Sequence, residues 1–154
     1  MALSARAAYI APVPAALYNR DILRLAASIP HHRRLARPQA SAEKTSPVCG
    51  SRVAVDVIVD EAGRLVELGQ EVRACALGQA SAALMGAHAL GRGPEDLARA
   101  RDDLAAYLAG RRGDPGEWPG LDIFGEARPF TARHPSILLA FEAAAEAAAR
   151  AREG

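Results

Sequence analysis

The feature that most constrains the fold is a run of alternating apolar residues in the middle of the chain. In residues 52–60, "RVAVDVIVD", every second position is a valine, which is typical of a strand with one face on a core. The segment "DEAG" follows as a turn, and Gly63 suits its left-handed position. Residues 64–72, "RLVELGQEV", return as the partner strand, where Gly69 indicates a bulge or a close backbone approach. The sequence therefore predicts an antiparallel hairpin.

The segments around this hairpin predict a third strand and several helices. A weaker pattern around Ala40 to Thr45, inside a polar and mostly irregular connection, predicts a strand that pairs alongside the hairpin. Apolar residues at helical spacing predict helices in residues 18–30, 76–90, 93–110 and 135–152. This order predicts an α+β fold, with a small antiparallel three-stranded sheet and helices packed on one of its faces.

Composition limits the classes of function. The chain has 154 residues, the size of one domain, and we expect a flexible tail in residues 1–16 and a single domain in residues 17–154. With 19 basic and 18 acidic residues, it has no strong basic field for nucleic acid or for an anionic membrane. No apolar run approaches the roughly 18 residues of a membrane helix. We expect no signal peptide, and a cytoplasmic protein with reduced thiols.

The two cysteines stand at the two ends of the predicted hairpin. Cys49 precedes its first strand, and Cys75 follows its second strand at the start of a helix. Because a hairpin brings its entry and exit together, we expect the two thiols to meet, and the helix N-terminus to stabilise a thiolate at Cys75. His134 precedes a proline that favours a helix start, and it is the third candidate. Thiolates with a histidine are typical ligands of zinc or of an iron–sulfur cluster.

Each candidate also has an ordinary structural interpretation. Either cysteine could equally be a small buried hydrophobe, and His134 a surface or capping residue. We expect the remaining polar candidates in common roles: His31 and His32 in a solvated loop, His88 on a helix surface, and Ser51 and Ser136 as caps or turn formers. A thiol enzyme is the last choice, because no histidine–acid pair has a recognisable placement beside either cysteine.

The hairpin and its flanks resemble a known family. "SPVCGSRVAVDVIVDEAGRLVELGQEVRACALGQASAALM" is similar to the core of the IscU/SufU/NifU-type iron–sulfur cluster assembly scaffolds. Those proteins carry Asn-Pro-x-Cys-Gly-Asp before a hairpin and Gly-Cys-x-x-x-x-Ala-Ser at a helix start, and here the segments are "SPVCGS" and "ACALGQAS". "LYNRDILRLAASIPH" and "ARHPSILLAFEAAAEAA" resemble the first and last helices of the family. The resemblance covers residues 17–150 and implies a SufE/NifU-like layout.

The resemblance also implies a ligand set. Cys49 and Cys75 match the first two of the family's three cysteines, while Ser51 stands where the family has an aspartate. The place of the third cysteine falls on Pro135 or Ser136, depending on a one-residue choice of register. His134 matches the family's histidine or is a neighbour of that position. The implied metal ligands are therefore Cys49, Cys75 and His134.

The function implied is that of a scaffold and not of an enzyme. Such a protein binds iron or a nascent iron–sulfur cluster, with a 2Fe–2S cluster as the first choice, and passes it on; zinc is also expected to bind to the purified protein. The implied partners are a cysteine desulfurase and iron–sulfur acceptor proteins. A homodimer with two cysteines from each subunit would supply four ligands, and glutathione or another protein is the alternative source. The alternative function is a cluster-free partner that accepts sulfur on Cys75 or regulates a desulfurase.

Overall fold

A computed structural model of the chain describes residues 15–154. Residues 1–14 of the expected tail lie outside this range, and residues 15 and 16 begin a short 3-10 helix, Ala15–Tyr18. The main elements, in chain order, are α1 (Arg20–Ala26), β1 (Ala40–Thr45), β2 (Arg52–Val59), β3 (Leu65–Arg73), α2 (Ala76–His88), α3 (Pro94–Leu108) and α4 (His134–Glu153). Two further 3-10 helices, Leu121–Ala127 and Thr131–Arg133, lead into α4.

The three strands form one antiparallel sheet in the order β1-β2-β3. The predicted hairpin is confirmed, and Gly63 takes the left-handed conformation in its turn, with φ of 82°. The weak strand pattern at Ala40–Thr45 is also confirmed as β1. The irregularity in the β2–β3 register lies between Ile58 and Val59 and not at Gly69. The α+β class with a three-stranded antiparallel sheet is therefore confirmed.

Helices α4 and α2 cover one face of the sheet. Helix α4 lies against β1 and β2, and α2 packs against both α4 and β3. Val53, Val55 and Val57 point into this layer and are fully buried. The facing side of α4 is built largely from alanines, which lets the helix lie close to the strands. No helix within residues 15–154 combines the length and the hydropathy that a bilayer-spanning segment needs.

The first helix is shorter than predicted because the chain turns into a strap across the sheet. Asn19 caps α1 as expected, accepting a hydrogen bond from the Ile22 N–H at 3.0 Å, but the helix ends at Ala26. We call residues 30–37 the strap. Its backbone crosses β3 at Gly69, where a Cβ atom would lie 2.5 Å from the Arg33 carbonyl oxygen. The close backbone approach predicted for Gly69 is therefore confirmed.

An ion pair between the strap and a buried carboxylate fastens the strap to the sheet. Asp56 in the centre of β2 is fully buried, and Arg34 donates two hydrogen bonds to its carboxylate, both of 2.8 Å. The Leu35 N–H and the Ser41 hydroxyl donate two more. Burial acts to raise the pKa of Asp56, but these hydrogen bonds outweigh it and hold the pKa below its usual value. Arg34 is itself exposed, and its guanidinium reaches inward to satisfy the buried charge of Asp56.

We expect Gly69→Ala to destabilise the protein. The new methyl group would collide with the Arg33 carbonyl and the Leu35 N–H, and backbone atoms cannot move aside as a flexible side chain can. The free energy of unfolding, measured by urea titration, should fall by about 1–3 kcal/mol. Gly113→Ala is the matched control, since nothing lies within 4 Å of its Cβ position. Equal stability of the two variants would contradict the close crossing of strap and sheet.

Candidate functional site

Both cysteines lie at the same end of the β2–β3 hairpin. Arg52 at the start of β2 pairs with Arg73 at the end of β3, so the chain segments beyond them emerge side by side. Cys49 lies in the turn before β2, and Cys75 is the N-cap residue of α2. Both are free thiols, Cys49 exposed and Cys75 half-buried.

Cys49 sits on a tight turn that closes on itself. The Ser46 N–H donates to the Ser51 carbonyl, and the Gly50 N–H donates to the Ser46 carbonyl, both at 2.8 Å. Gly50 takes the left-handed conformation, with φ of 73°, which an L side chain rarely adopts. Val48, next to the cysteine, is 68% exposed. The turn therefore holds the thiol at an accessible tip.

Serine hydroxyls surround the sulfur of Cys49. Its Sγ atom lies 2.8 Å from Ser136 Oγ and 3.1 Å from Ser51 Oγ, and the two hydroxyls are 3.1 Å apart. Ser46 Oγ is buried near the sulfur but has no partner at normal hydrogen-bond distance among the described residues. We call Ser46, Ser51 and Ser136 the serine cage. It brings together side chains from the turn and from the first part of α4.

The serine cage favours the thiolate form of Cys49. Partial burial acts to raise the pKa of the thiol, but hydrogen bonds with the hydroxyl of Ser136 and with the hydroxyl and backbone of Ser51 outweigh this and lower the pKa to about 6. At neutral pH most of the sulfur is therefore ionised. A thiolate is the form that binds a metal ion or attacks a sulfur atom.

Helices α2 and α4 meet at this site. A Cβ atom on Gly78, in the first turn of α2, would lie 3.1 Å from the Ser136 carbonyl oxygen. In the next turn, the Ser81 hydroxyl donates to the Ile137 carbonyl at 2.5 Å. These contacts set Ser136 beside the helix turn that Cys75 begins. The cage residue on α4 therefore lies between the two segments that carry the cysteines.

His134 is anchored to the backbone just before α4 through one ring nitrogen. Its Nε2 lies 3.0 Å from the Ala127 carbonyl oxygen and 3.1 Å from the Arg128 carbonyl oxygen. Because carbonyl oxygens only accept, Nε2 is the donor in both contacts, and Nδ1 takes part in neither. Metal-binding histidines are commonly oriented by such a backbone contact.

The three predicted ligands do not form a ready metal site. Within residues 15–154, no three side chains of His, Cys, Asp or Glu are grouped so that they could hold a metal ion. A ligand role for Cys49, Cys75 and His134 therefore stays a prediction. The structure instead surrounds one of the two thiols with hydroxyl groups.

The expectation that Ser136 is a cap is wrong. Helix α4 has no side-chain cap at its start, and the Ser136 hydroxyl faces Cys49 instead. Ser51 does close the turn through its backbone, but its hydroxyl also belongs to the cage. Of the two positions open for the family's third cysteine, Ser136 is the one that contacts Cys49. In the sequence, only the resemblance to the scaffold family pointed to a site residue here, because a serine near a helix start is otherwise an ordinary cap.

The other histidines lie elsewhere. His31 and His32 are exposed at the start of the strap, as expected for a solvated segment. His31 has a positive φ of 57°, which lets its carbonyl accept from both the Arg33 N–H and the Gln70 N–H. His88 is partly buried and does not lie freely on its helix, because its ring stands edge-on to Trp118 at 6.4 Å.

Fold and site define a small α+β protein that presents an activated thiol at one end of its sheet. The sequence matches no protein-family model and no curated protein. Among solved structures, it is similar to the N-terminal part of a nitrogen-fixing NifU-like protein from Brucella abortus, with a TM-score of 0.83 and 34% identity over 90% of this chain and 96% of that chain. The chain therefore belongs to the NifU-like N-terminal family, the IscU/SufU/NifU type that its cysteine motifs resemble.

Two further structures share the fold. One is a putative iron–sulfur cluster assembly scaffold protein for the SUF system from Fervidobacterium islandicum AW-1, with a TM-score of 0.78, 18% identity and coverage of 86% of this chain and 96% of that chain. The other is a hypothetical protein, with a TM-score of 0.66, 22% identity and coverage of 84% and 94%. At these identities the two likenesses show the fold alone.

We expect Ser136→Ala to raise the pKa of Cys49. The variant loses one hydrogen bond to the thiolate, which should move the pKa upward by about one unit. The measurement is the rate of alkylation by iodoacetamide against pH, in a Cys75→Ala background so that one thiol reports. The parent should show a midpoint near pH 6.

Ser28→Ala is the control for this experiment, because Ser28 is an exposed serine in the turn after α1. Its alkylation midpoint should match that of the parent. An unchanged midpoint in Ser136→Ala would show that this hydroxyl does not stabilise the thiolate.

Proposed function

We propose that this protein is a scaffold for iron–sulfur cluster assembly, which binds iron or a nascent cluster through Cys49 and Cys75 and passes it on. The single observation that carries the proposal is the accessible thiol of Cys49, held against the hydroxyls of the serine cage at the end of the hairpin where Cys75 begins α2. Membership in the NifU-like family supports the same role. In this role the iron or cluster is cargo, and no bond of the protein is made or broken by catalysis.

One chain supplies only some of the ligands that an iron–sulfur cluster needs. Iron–sulfur clusters are held by four protein ligands in most cases, and thiolates are preferred. Cys49 and Cys75 supply two thiolates, and Nδ1 of His134 would be a third donor. The serine hydroxyls are weaker donors, and they serve the site by stabilising the Cys49 thiolate. The remaining ligands come from a second copy of the chain or from a small thiol such as glutathione.

A protein that receives and passes on an iron–sulfur cluster needs two kinds of partner. A cysteine desulfurase is the sulfur donor, and apoproteins that need a cluster are the acceptors. Val48 makes the tip beside Cys49 partly apolar, which suits contact with another protein. An incomplete shell favours release, because a ligand from the acceptor can replace a weak or external one.

A second candidate function is sulfur acceptance without a cluster, and the low pKa of Cys49 favours this residue over Cys75 as the acceptor. In that reaction the Cys49 thiolate attacks the outer sulfur of a persulfide on a cysteine desulfurase. The donor's S–S bond breaks and the donor cysteine leaves as a thiolate. Cys49 then carries the transferred sulfur, and no net oxidation or reduction of the pair occurs.

Anaerobic reconstitution with ferrous iron and sulfide tests the scaffold function. We expect visible absorption and bound iron in the parent protein. Cys49→Ala and Cys75→Ala should each reduce the iron retained per chain by more than the roughly 10- to 100-fold that loss of an outer-shell partner costs. Ser136→Cys should retain iron longer against a chelator, because it places a third thiolate beside Cys49.

Ser28→Cys is the matched control, since it adds a thiol at an exposed position outside the site. It should leave iron retention unchanged. A colourless parent protein would refute the scaffold function. Mass spectrometry after treatment with glutathione persulfide would then test sulfur acceptance, which predicts one added sulfur atom in the Cys75→Ala variant and none in Cys49→Ala.

A further inference from the structure

Two buried hydroxyl groups contact the sulfur of Cys49, while the cysteine itself is exposed. Ser136 and Ser51 are only 2% and 4% exposed, and their Oγ atoms lie 2.8 and 3.1 Å from the sulfur. Nothing lies within 4 Å of the Cβ position of the neighbouring Gly50, so the turn that carries the thiol is open to solvent. An iron atom can therefore reach the sulfur from solvent and leave both hydroxyls in place.

The sulfur and the two hydroxyls form a triangle in which the direction of the hydrogen bonds depends on the state of the sulfur. The two hydroxyl oxygens are 3.1 Å apart, so all three groups are within contact of one another. A protonated thiol can donate to a hydroxyl, whereas a sulfur bound to iron has lost its proton and can only accept. Each hydroxyl carries one hydrogen, and Ser136 and Ser51 can then both donate to the sulfur.

Ser46 adds a third buried hydroxyl to the site. It is 1% exposed, and its Oγ has no partner at normal hydrogen-bond distance among residues 15–154. A buried donor without a partner is costly, so this hydroxyl suits a bound group that brings a further acceptor, such as sulfide. The segments that carry the cysteines and Ser136 bring no opposing charge, because residues 46–51, 74–81 and 134–141 contain no Asp and no Glu.

Neutral donors beside a ligand sulfur affect how readily an iron–sulfur cluster is reduced. The reduction potential of a cluster depends on its net charge, on the hydrogen bonds to its sulfur atoms and on its exposure to solvent. One-electron reduction adds negative charge to the iron and to the sulfur atoms around it. A hydrogen-bond donor stabilises the reduced form more than the oxidised form, because bonds to a more negative acceptor are stronger. The potential therefore rises.

We propose that the serine cage raises the reduction potential of a cluster bound through Cys49, so that the protein holds its cargo in a form that readily accepts an electron. This inference rests on the proposed function, because it concerns the cluster that the scaffold binds. In the step, one electron passes from a one-electron donor to the iron, and no bond of the protein is made or broken. Ser136 and Ser51 are positioning residues that act through the sulfur of Cys49.

The test is a redox titration of the anaerobically reconstituted full-length protein with sodium dithionite and mediator dyes, followed by visible absorption and electron paramagnetic resonance. We expect Ser136→Ala and Ser51→Ala each to move the midpoint to a more negative potential. Loss of one hydrogen bond should lower the equilibrium constant for one-electron reduction roughly three- to tenfold. A tenfold change corresponds to about 59 mV. Iron counted per chain verifies that the variants and the parent are equally loaded.

The sign of the shift separates the loss of a hydrogen bond from a general loosening of the site. Water that enters a loosened site would stabilise the added charge and move the midpoint to a less negative potential. Ser28→Ala is the matched control, because Ser28 is an exposed serine outside the site, and its midpoint should match that of the parent. Ser136→Thr keeps a hydroxyl and should return the midpoint toward the value of the parent.

The outcomes that contradict this inference differ from those that contradict the scaffold function. A midpoint that Ser136→Ala and Ser51→Ala leave unchanged, or make less negative, would overturn the inference alone, since a cluster is then bound. A loaded parent whose two alanine variants hold no cluster would also count against it, because the hydroxyls would then serve retention of the cluster. A parent that takes up no cluster would refute the scaffold function and, with it, this role of the cage.

Discussion

The close contact between α2 and α4 is the constraint on which the site depends. Gly78 lets the Ser136 carbonyl approach the first turn of α2, and the Ser81 hydroxyl holds the Ile137 carbonyl one turn further along. A larger residue at either point would push the start of α4 outward. Ser136 would then leave Cys49, and the serine cage would open. The small residues of α2 therefore affect the surroundings of the Cys49 thiol as well as the packing of the two helices.

The serine cage stabilises a negative charge with neutral groups. A carboxylate or a further thiolate beside Cys49 would add negative charge and oppose ionisation, whereas hydroxyl groups donate hydrogen bonds to the thiolate and add none. Ser51 and Ser136 therefore add hydrogen-bonding groups, and no further negative charge, to the surroundings of Cys49.

The parts of the fold that the sequence predicted are those with a local periodic pattern. Alternating valines indicated β2, and apolar residues at helical spacing indicated the helices, because each pattern reports on one face of one element. The strap was missed, since Arg34 is explained only by Asp56 across the sheet. The contact of Ser136 with Cys49 could not be predicted from local patterns for the same reason, because the two residues lie far apart in sequence.

The two sides of the contact between Ser136 and Cys49 differ in how firmly they are held. Ser136 is anchored in a helix that packs against the sheet and against α2. Cys49 instead lies on an exposed turn, and the space around the Cβ position of Gly50 is open. The Ser136 hydroxyl is thus fixed by the core, while the sulfur lies on the exposed turn. Because Cys49 is exposed, a reactant can reach the sulfur without any change in the packed elements, so a reaction at this thiol need not disturb the fold.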